Sequence, residues 1–170
     1  MERITNNKIL KKCFPLIFTN LFIIGVFYYW FFEDDSLMNN LSFFIGLVIL
    51  IFVPIIFQLV IIFNHYAINK KILFKVYEDQ LFIIQNDEQL IISEDNIIHW
   101  NLVGTSGKVK NSTIKFSLID DLFYVKILLK DREEEVIVTS LLNSKIDVVL
   151  QELFSNKRKE NKATFFPYIH

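Results

Sequence analysis

The chain has 170 residues, a formal net charge of -1 and one cysteine. Balanced charge excludes the concentrated Lys and Arg excess with which a binder of duplex nucleic acid displaces counterions, and a single thiol excludes an intramolecular disulfide and a multi-cysteine metal site. Apolar residues make up 52% of the chain but are unevenly spread, because between Cys13 and Phe63 the only ionised side chains are Glu33, Asp34 and Asp35.

Residues 1–12 form a basic leader with Arg3, Lys8, Lys11 and Lys12. The first apolar run, Cys13 to Phe32, has 20 residues. At about 1.5 Å per residue a helix of that length spans a hydrocarbon core of about 30 Å. A secretory signal peptide has a shorter apolar core and a small-residue cleavage site. Here the run ends in Tyr28, Tyr29, Trp30, Phe31 and Phe32, then Glu33 and two aspartates, which reads as an uncleaved anchor with an interfacial aromatic belt. Pro15 fits a helix first turn, where its missing N–H costs little. Cys13 reads as a small apolar filler at a helix end, with lipidation as the alternative.

A short acidic loop, Glu33 to Asn40, leads to the second run, Leu41 to Phe63, of 23 residues. Residues 13–63 therefore read as a membrane α-helical hairpin with spans 13–32 and 41–63. Lys70, Lys71 and Lys75 follow it, and the connecting loop has no basic residue, so both termini are expected on the cytoplasmic side. Asn20 and Gln58 are polar exceptions inside the spans. Each is expected either to hydrogen-bond between helices or across a dimer, or to reach a local carbonyl or the headgroup region.

Behind a basic juxtamembrane linker, residues 64–71, the pattern changes to short alternating runs separated by polar pairs, the signature of successive strands. Strands are expected at 72–77, 80–85 and 88–93, joined through the pairs Glu78–Asp79 and Asn86–Asp87. A fourth is expected at 97–102. The Gly- and Ser-containing stretch 103–112 reads as a loop, and further strands are expected at 113–119, at 123–130 and around Val136 and Val138. Leu142, Ile146, Val149, Leu150, Leu153 and Phe154 then recur at helical spacing, with Ser144 and Asp147 placed as a capping box. The helix is expected to fade into a basic and aromatic tail, 157–170.

Three segments of this region carry a family likeness. They are ValTyrGluAspGlnLeuPheIleIle at 76–84, IleIleSerGluAspAsnIleIleHisTrp at 91–100, and LysIleAspValValLeuGlnGluLeuPhe at 145–154. Together with the order of seven short strands and a closing helix, residues 72–156 resemble the bacterial pleckstrin-homology-like domains, many of which follow a two-helix membrane anchor. The resemblance implies a mostly β, seven-stranded, partly open barrel with a C-terminal helix over one end, in a multi-pass protein of a bacterial inner membrane. The same helix position follows from the need to cover an apolar barrel mouth.

Catalysis needs convergent groups, and His65, His99, His170 and Cys13 are widely separated with no metal spacing, phosphate loop or nucleophile elbow, so neither an enzyme nor a cofactor is expected. Asp120 and Asp121, and Glu133 to Glu135, read as solvated turn residues. His99 and Trp100 read either as barrel-edge packing or as the lining of a ligand or partner surface. Phosphoinositide binding in eukaryotic pleckstrin-homology domains rests on a basic motif at the first hairpin; here Glu78 and Asp79 stand there and oppose it. Lys8, Lys11, Lys12, Lys70 and Lys71 are expected at the membrane surface. Lys157, Arg158 and Lys159 either join them, with Phe165, Phe166, Pro167 and Tyr168 at the interface, or lie in a solvated tail. The expected function is a non-enzymatic interaction module at the cytoplasmic face, binding a protein partner or another copy of itself, with lipid or small-ligand binding at the barrel mouth as the alternative.

Overall fold

The computed structural model describes residues 1–32, 41–85, 88–110 and 118–170. The 33–40 loop, the Asn86–Asp87 turn and most of the strand expected at 113–119 lie outside the described residues. Two compact units are present: Asn6–Val60, and Met1–Thr5 together with Ile61–His170.

The first unit is helical. Helix α1 spans Asn6–Phe32, so it begins in the basic leader rather than at Cys13. Lys and Leu are good helix formers, and no Gly or Pro between Asn6 and Lys12 breaks the turn. Pro15 consequently lies inside the helix rather than in its first turn, and Thr19 Oγ1 donates to the Pro15 carbonyl at 2.6 Å. Helix α2 spans Leu41–Asn69. Both helices are long and apolar enough to cross a membrane. Phe14, Phe18, Leu21 and Phe22 on α1, and Ile49, Leu50, Ile56 and Phe57 on α2, are exposed. Apolar surface on that scale is costly in water and neutral in hydrocarbon.

Helix α2 does not stop at Phe63. Its last turns, Ile61–Asn69, belong to the second unit, where Ile61, Ile62, His65 and Asn69 are buried. The expected linker 64–71 is therefore mostly helix. Twenty residues, Leu41 to Val60, precede those turns, about 30 Å of helix.

The second unit contains two sheets. Sheet A is an antiparallel meander of β1 (Ile72–Tyr77), β2 (Gln80–Gln85) and β3 (Glu88–Ile92). Alternation places Ile72, Phe74, Leu81, Ile83 and Ile92 on its buried face. The β1–β2 turn is tight enough to hold Glu78 at φ 51°, the left-handed region. Glu2 adds a two-bond bridge on the free edge of β1: Glu2 N donates to Phe74 O at 2.6 Å, and Phe74 N to Glu2 O at 2.8 Å.

Sheet B has the order β6-β5-β4-β7, built from β4 (Ile97–Gly104), β5 (Tyr124–Leu129), β6 (Val136–Thr139) and β7 (Arg158–Ala163). Strand β7 corrects the expected tail, because it runs parallel to β4 from Trp100 to Gly104. Its sequence, ArgLysGluAsnLysAla, has no apolar alternation, so only backbone pairing beside β4 makes it a strand. A charged edge strand also discourages further pairing. No ladder joins the two sheets among the described residues, so they form no closed barrel.

Three further differences are local. Inside the expected 103–112 loop, Thr105 caps a one-turn helix, α3 (Ser106–Val109). Leu118 and Ile119, the end of an expected strand, belong instead to a 3-10 turn, Leu118–Asp121, where Thr105 Oγ1 donates to Asp120 Oδ1. Helix α4 is shorter than expected, Ile146–Leu153, and its cap residue is Lys145, with no side-chain cap bond. The Ser144–Asp147 capping box does not form; Asn143 Oδ1 accepts from Lys145 N at 2.8 Å, and Asp147 pairs with Lys108 at 2.7 Å. The core closes where Ile146, Leu150 and Phe154 are buried along with Trp100, Val125, Ile127 and Val138.

Candidate functional site

A set of buried and half-buried polar side chains that bond to other elements lies at the end of α2. Asn69 is fully buried, and its amide reaches the open edge of β6 with two bonds: Nδ2 donates to Ile137 O at 2.9 Å, and Oδ1 accepts from Thr139 N at 2.7 Å. Asn64 does the same for the tail, donating to Ile169 O at 3.0 Å and accepting from Ile169 N at 2.9 Å. An amide side chain presents an N–H donor and a carbonyl acceptor spaced like those of a peptide group, with a second N–H to spare, so each asparagine stands in for a strand partner. Between them His65 is fully buried, with Nε2 2.7 Å from Pro167 O and its ring edge-on to Tyr124 at 5.8 Å. A carbonyl only accepts, so Nε2 carries the proton in this contact. Nδ1 has no hydrogen-bond partner among the described residues.

These contacts fold the tail back over the outer face of sheet B. Pro167 and Ile169 are buried, whereas Phe165 is 86% exposed and Tyr168 39%. Of the four tail residues expected either at a membrane interface or in solvent, Pro167 is thus committed to the protein. Between tail and sheet lies a cavity of about 390 Å³, lined among others by Val103, Tyr124, Lys126, Glu135, Lys162 and Phe166. Lys126 Nζ lies 2.7 Å from Glu135 Oε2. That hydrogen bond raises the Lys126 ammonium above its ordinary value, with burial opposing it. Burial raises the Tyr124 phenol, Lys126 lowers it and Glu135 raises it further. The cavity thus offers a neutral phenol, an internally compensated ion pair and an apolar floor. Such a lining can bind and orient a ligand, and Glu160 and His170 add a carboxylate and an imidazole to its wall.

A second cavity, about 320 Å³, opens between the sheets, with Ile68, Ile72, Ile83, Leu90 and Ile137 among its apolar walls and Glu88, Arg132 and Glu134 at its rim. Arg132 Nη2 reaches Glu88 Oε2 at 3.4 Å.

The structure does not bring His99 and Trp100 together. Trp100 is fully buried and donates from Nε1 to Phe154 O at 2.9 Å, fixing the end of α4. His99, its neighbour on an alternating strand, is half-buried and projects to the other face. Arg158 lies over the Trp100 ring at 5.1 Å and bonds Asn161 and Gln151. Lys11, Lys70 and Lys71 are exposed, Lys8, Lys12 and Lys157 are half-buried, and the Lys159 side chain lies outside the described residues. Gln58 is buried, and its Oε1 has no partner among the described residues; Asn20 is half-buried with a partner other than Gln58. No group of three His, Cys, Asp or Glu among the described residues is placed to hold a metal ion.

Sequence reasoning missed Asn64, His65 and Asn69. Their signal was present as polar residues continuing the helix beyond its apolar run, with His65 and Asn69 four apart on one face. No family model, curated protein or solved structure matches the chain.

Proposed function

We propose that this protein is a membrane-anchored, non-enzymatic interaction module. In this reading a pleckstrin-homology-like β domain is displayed at the cytoplasmic face of a bacterial membrane for a protein partner or a second copy. One observation carries it: α2 contains a bilayer-length apolar stretch and continues, unbroken, into buried turns whose Asn64, His65 and Asn69 are bonded into the β domain. A helix used in this way serves at once as anchor and as structural member. The meander, the Ser93–Asn96 step into β4 and the helix closing on Trp100 support the pleckstrin-homology-like assignment. The distribution of lysines supports the orientation.

A cytoplasmic reporter fused after His170 is active and one placed in the 33–40 loop is inactive; the reverse pattern overturns the orientation. Crosslinking in membranes, compared with a chain lacking residues 72–170, yields partners specific to the full chain, and identical partner sets refute the display role.

A second reading, small-ligand binding, is favoured by the sheet B cavity rather than by Trp100. Its size lies within the range of ligand sites, and the Tyr124 hydroxyl has no hydrogen-bond partner among the described residues. Tyr124→Phe weakens retention of a co-purifying ligand if this reading holds, and unchanged retention counts against it.

A further inference from the structure

An antiparallel sheet that packs one face on a core ordinarily presents a polar face to water. The outer face of sheet A departs from that rule. Leu73 and Ile84 sit opposite one another across β1 and β2, and Phe82 and Ile91 across β2 and β3, forming a continuous apolar block. Lys75 is paired opposite Phe82, and its ammonium lies 4.9 Å from the centre of the Tyr77 ring. The remaining outward positions, Gln80 and Gln89, are neutral, so the face carries a cation and no carboxylate.

We propose that this face is a seat for an anionic phospholipid surface. The inference rests on the anchored reading above and names a second contact between the domain and the bilayer that holds its helix. Three properties favour lipid over a second copy. Three strands of five or six residues cover only about 250 Å², far below the roughly 800 Å² per partner of a stable protein interface. The chemistry, aliphatic and phenyl side chains with a tyrosine and a lysine, suits the headgroup boundary, where apolar bodies sink and polar tips stay wet. The exposed residues Lys70 and Lys71 lead directly into β1 and extend the positive charge. The acidic Glu78–Asp79 turn lies at the opposite end of β1, and Glu88, which the register puts at the lysine-bearing end, belongs to the inward-facing set and pairs with Arg132 at 3.4 Å. Tethering lets so small a seat function, because an anchored domain meets its own membrane at an effective concentration of about millimolar.

The test uses full-length protein in vesicles of equal parts zwitterionic and anionic phospholipid, with Cys13→Ser as background. A fluorophore is placed in turn by Ile91→Cys on the seat, Val148→Cys on α4 and Phe52→Cys in the apolar hairpin. Ile91, Val148 and Phe52 are similarly exposed, at 41%, 46% and 43%. Quenching by spin-labelled lipid at 52 and 91, but not at 148, is expected. Quenching at 52 alone overturns the seat and leaves the anchor standing; absence of quenching at 52 overturns both. A label at 91 shielded from lipid quencher and from aqueous iodide alike means that protein covers the face, which also overturns the proposal. One charge near an anionic leaflet changes binding about fivefold. Lys75→Glu, a two-charge reversal, therefore lowers the seated-to-free ratio about 30-fold, and unchanged quenching at 91 refutes the anionic assignment.

Discussion

Replacing Asn69 by alanine removes one side chain and strands two backbone groups. Thr139 N–H and Ile137 C=O, on the open edge of β6, lose partners at 2.7 and 2.9 Å. The site is fully buried, so water does not replace the amide without entering the fold. A buried backbone group left unpaired costs about 1–3 kcal/mol. Asn69→Ala is therefore expected to destabilise the β domain by about 2–6 kcal/mol, a large part of the roughly 5–15 kcal/mol that holds a domain together. Asn69→Asp keeps an acceptor for Thr139 N but turns a second oxygen on the Ile137 carbonyl, so at neutral pH it is at least as damaging as alanine. The measurement is urea unfolding in detergent micelles, read by Trp100 emission in a Trp30→Phe background, since Trp100 is fully buried. If both variants unfold within about 0.5 kcal/mol of the parent, the amide is not a strand partner and the account of α2 as a structural member fails.

Trp100→Ala is expected to cost about 3–5 kcal/mol in the same assay. Trp100→Phe, which loses mainly the bond to Phe154 O, costs about 1–3 kcal/mol; equal effects of the two would deny that bond any role. Deleting residues 164–170 removes the partners of Asn64 and His65, so amide exchange accelerates in Ile61–Asn69 and not in Leu41–Val60; uniform exchange along α2 would contradict the tail's role. For Lys126, a raised folded-state value means that its pairing with Glu135 stabilises fully below the ordinary lysine value of 10.5 and is lost as pH climbs through the folded value. Both side chains are about one-third exposed, 34% and 33%, so screening holds the effect under about 1 kcal/mol. The parent is expected to lose this increment in strongly alkaline solution and Glu135→Gln to show no such loss; a parent midpoint that rises there would refute the assignment.

Strand-length apolar runs and two-residue polar links made sheet A readable, because the links leave little freedom of register, even though Ile72–Phe74, Leu81–Ile84 and Leu90–Ile92 do not alternate. The apolar runs that became α1 and α2 were equally plain, though their ends were not, because composition marks where an apolar run stops and not where a helix stops. The remainder escaped for tertiary reasons. Strand β7 has the composition of a tail and is ordered by β4. Trp100 was placed on a strand correctly, but its bond partner is 54 residues away. The cavity beside Tyr124 exists only because Asn64 and His65 hold Pro167 and Ile169, pairings that no local pattern encodes. Leu73, Phe82, Ile84 and Ile91 were visible as strand residues, while their assembly on one outward face required the register.

Parallel pairing of β7 with β4 also bears on how the molecule is made. Asn64 and Ile169 are 105 residues apart, and Asn143 reaches back to Glu2 across 141. Closing loops of that length delays the reward of contact. The apolar helices leave the ribosome long before residues 158–169 do, and until those residues arrive β4 keeps an open edge and the end of α2 lacks its clasp. Synthesis thus passes through a stage with the apolar helices complete and the β domain unsealed, the stage at which aggregation and proteolysis find their opportunity.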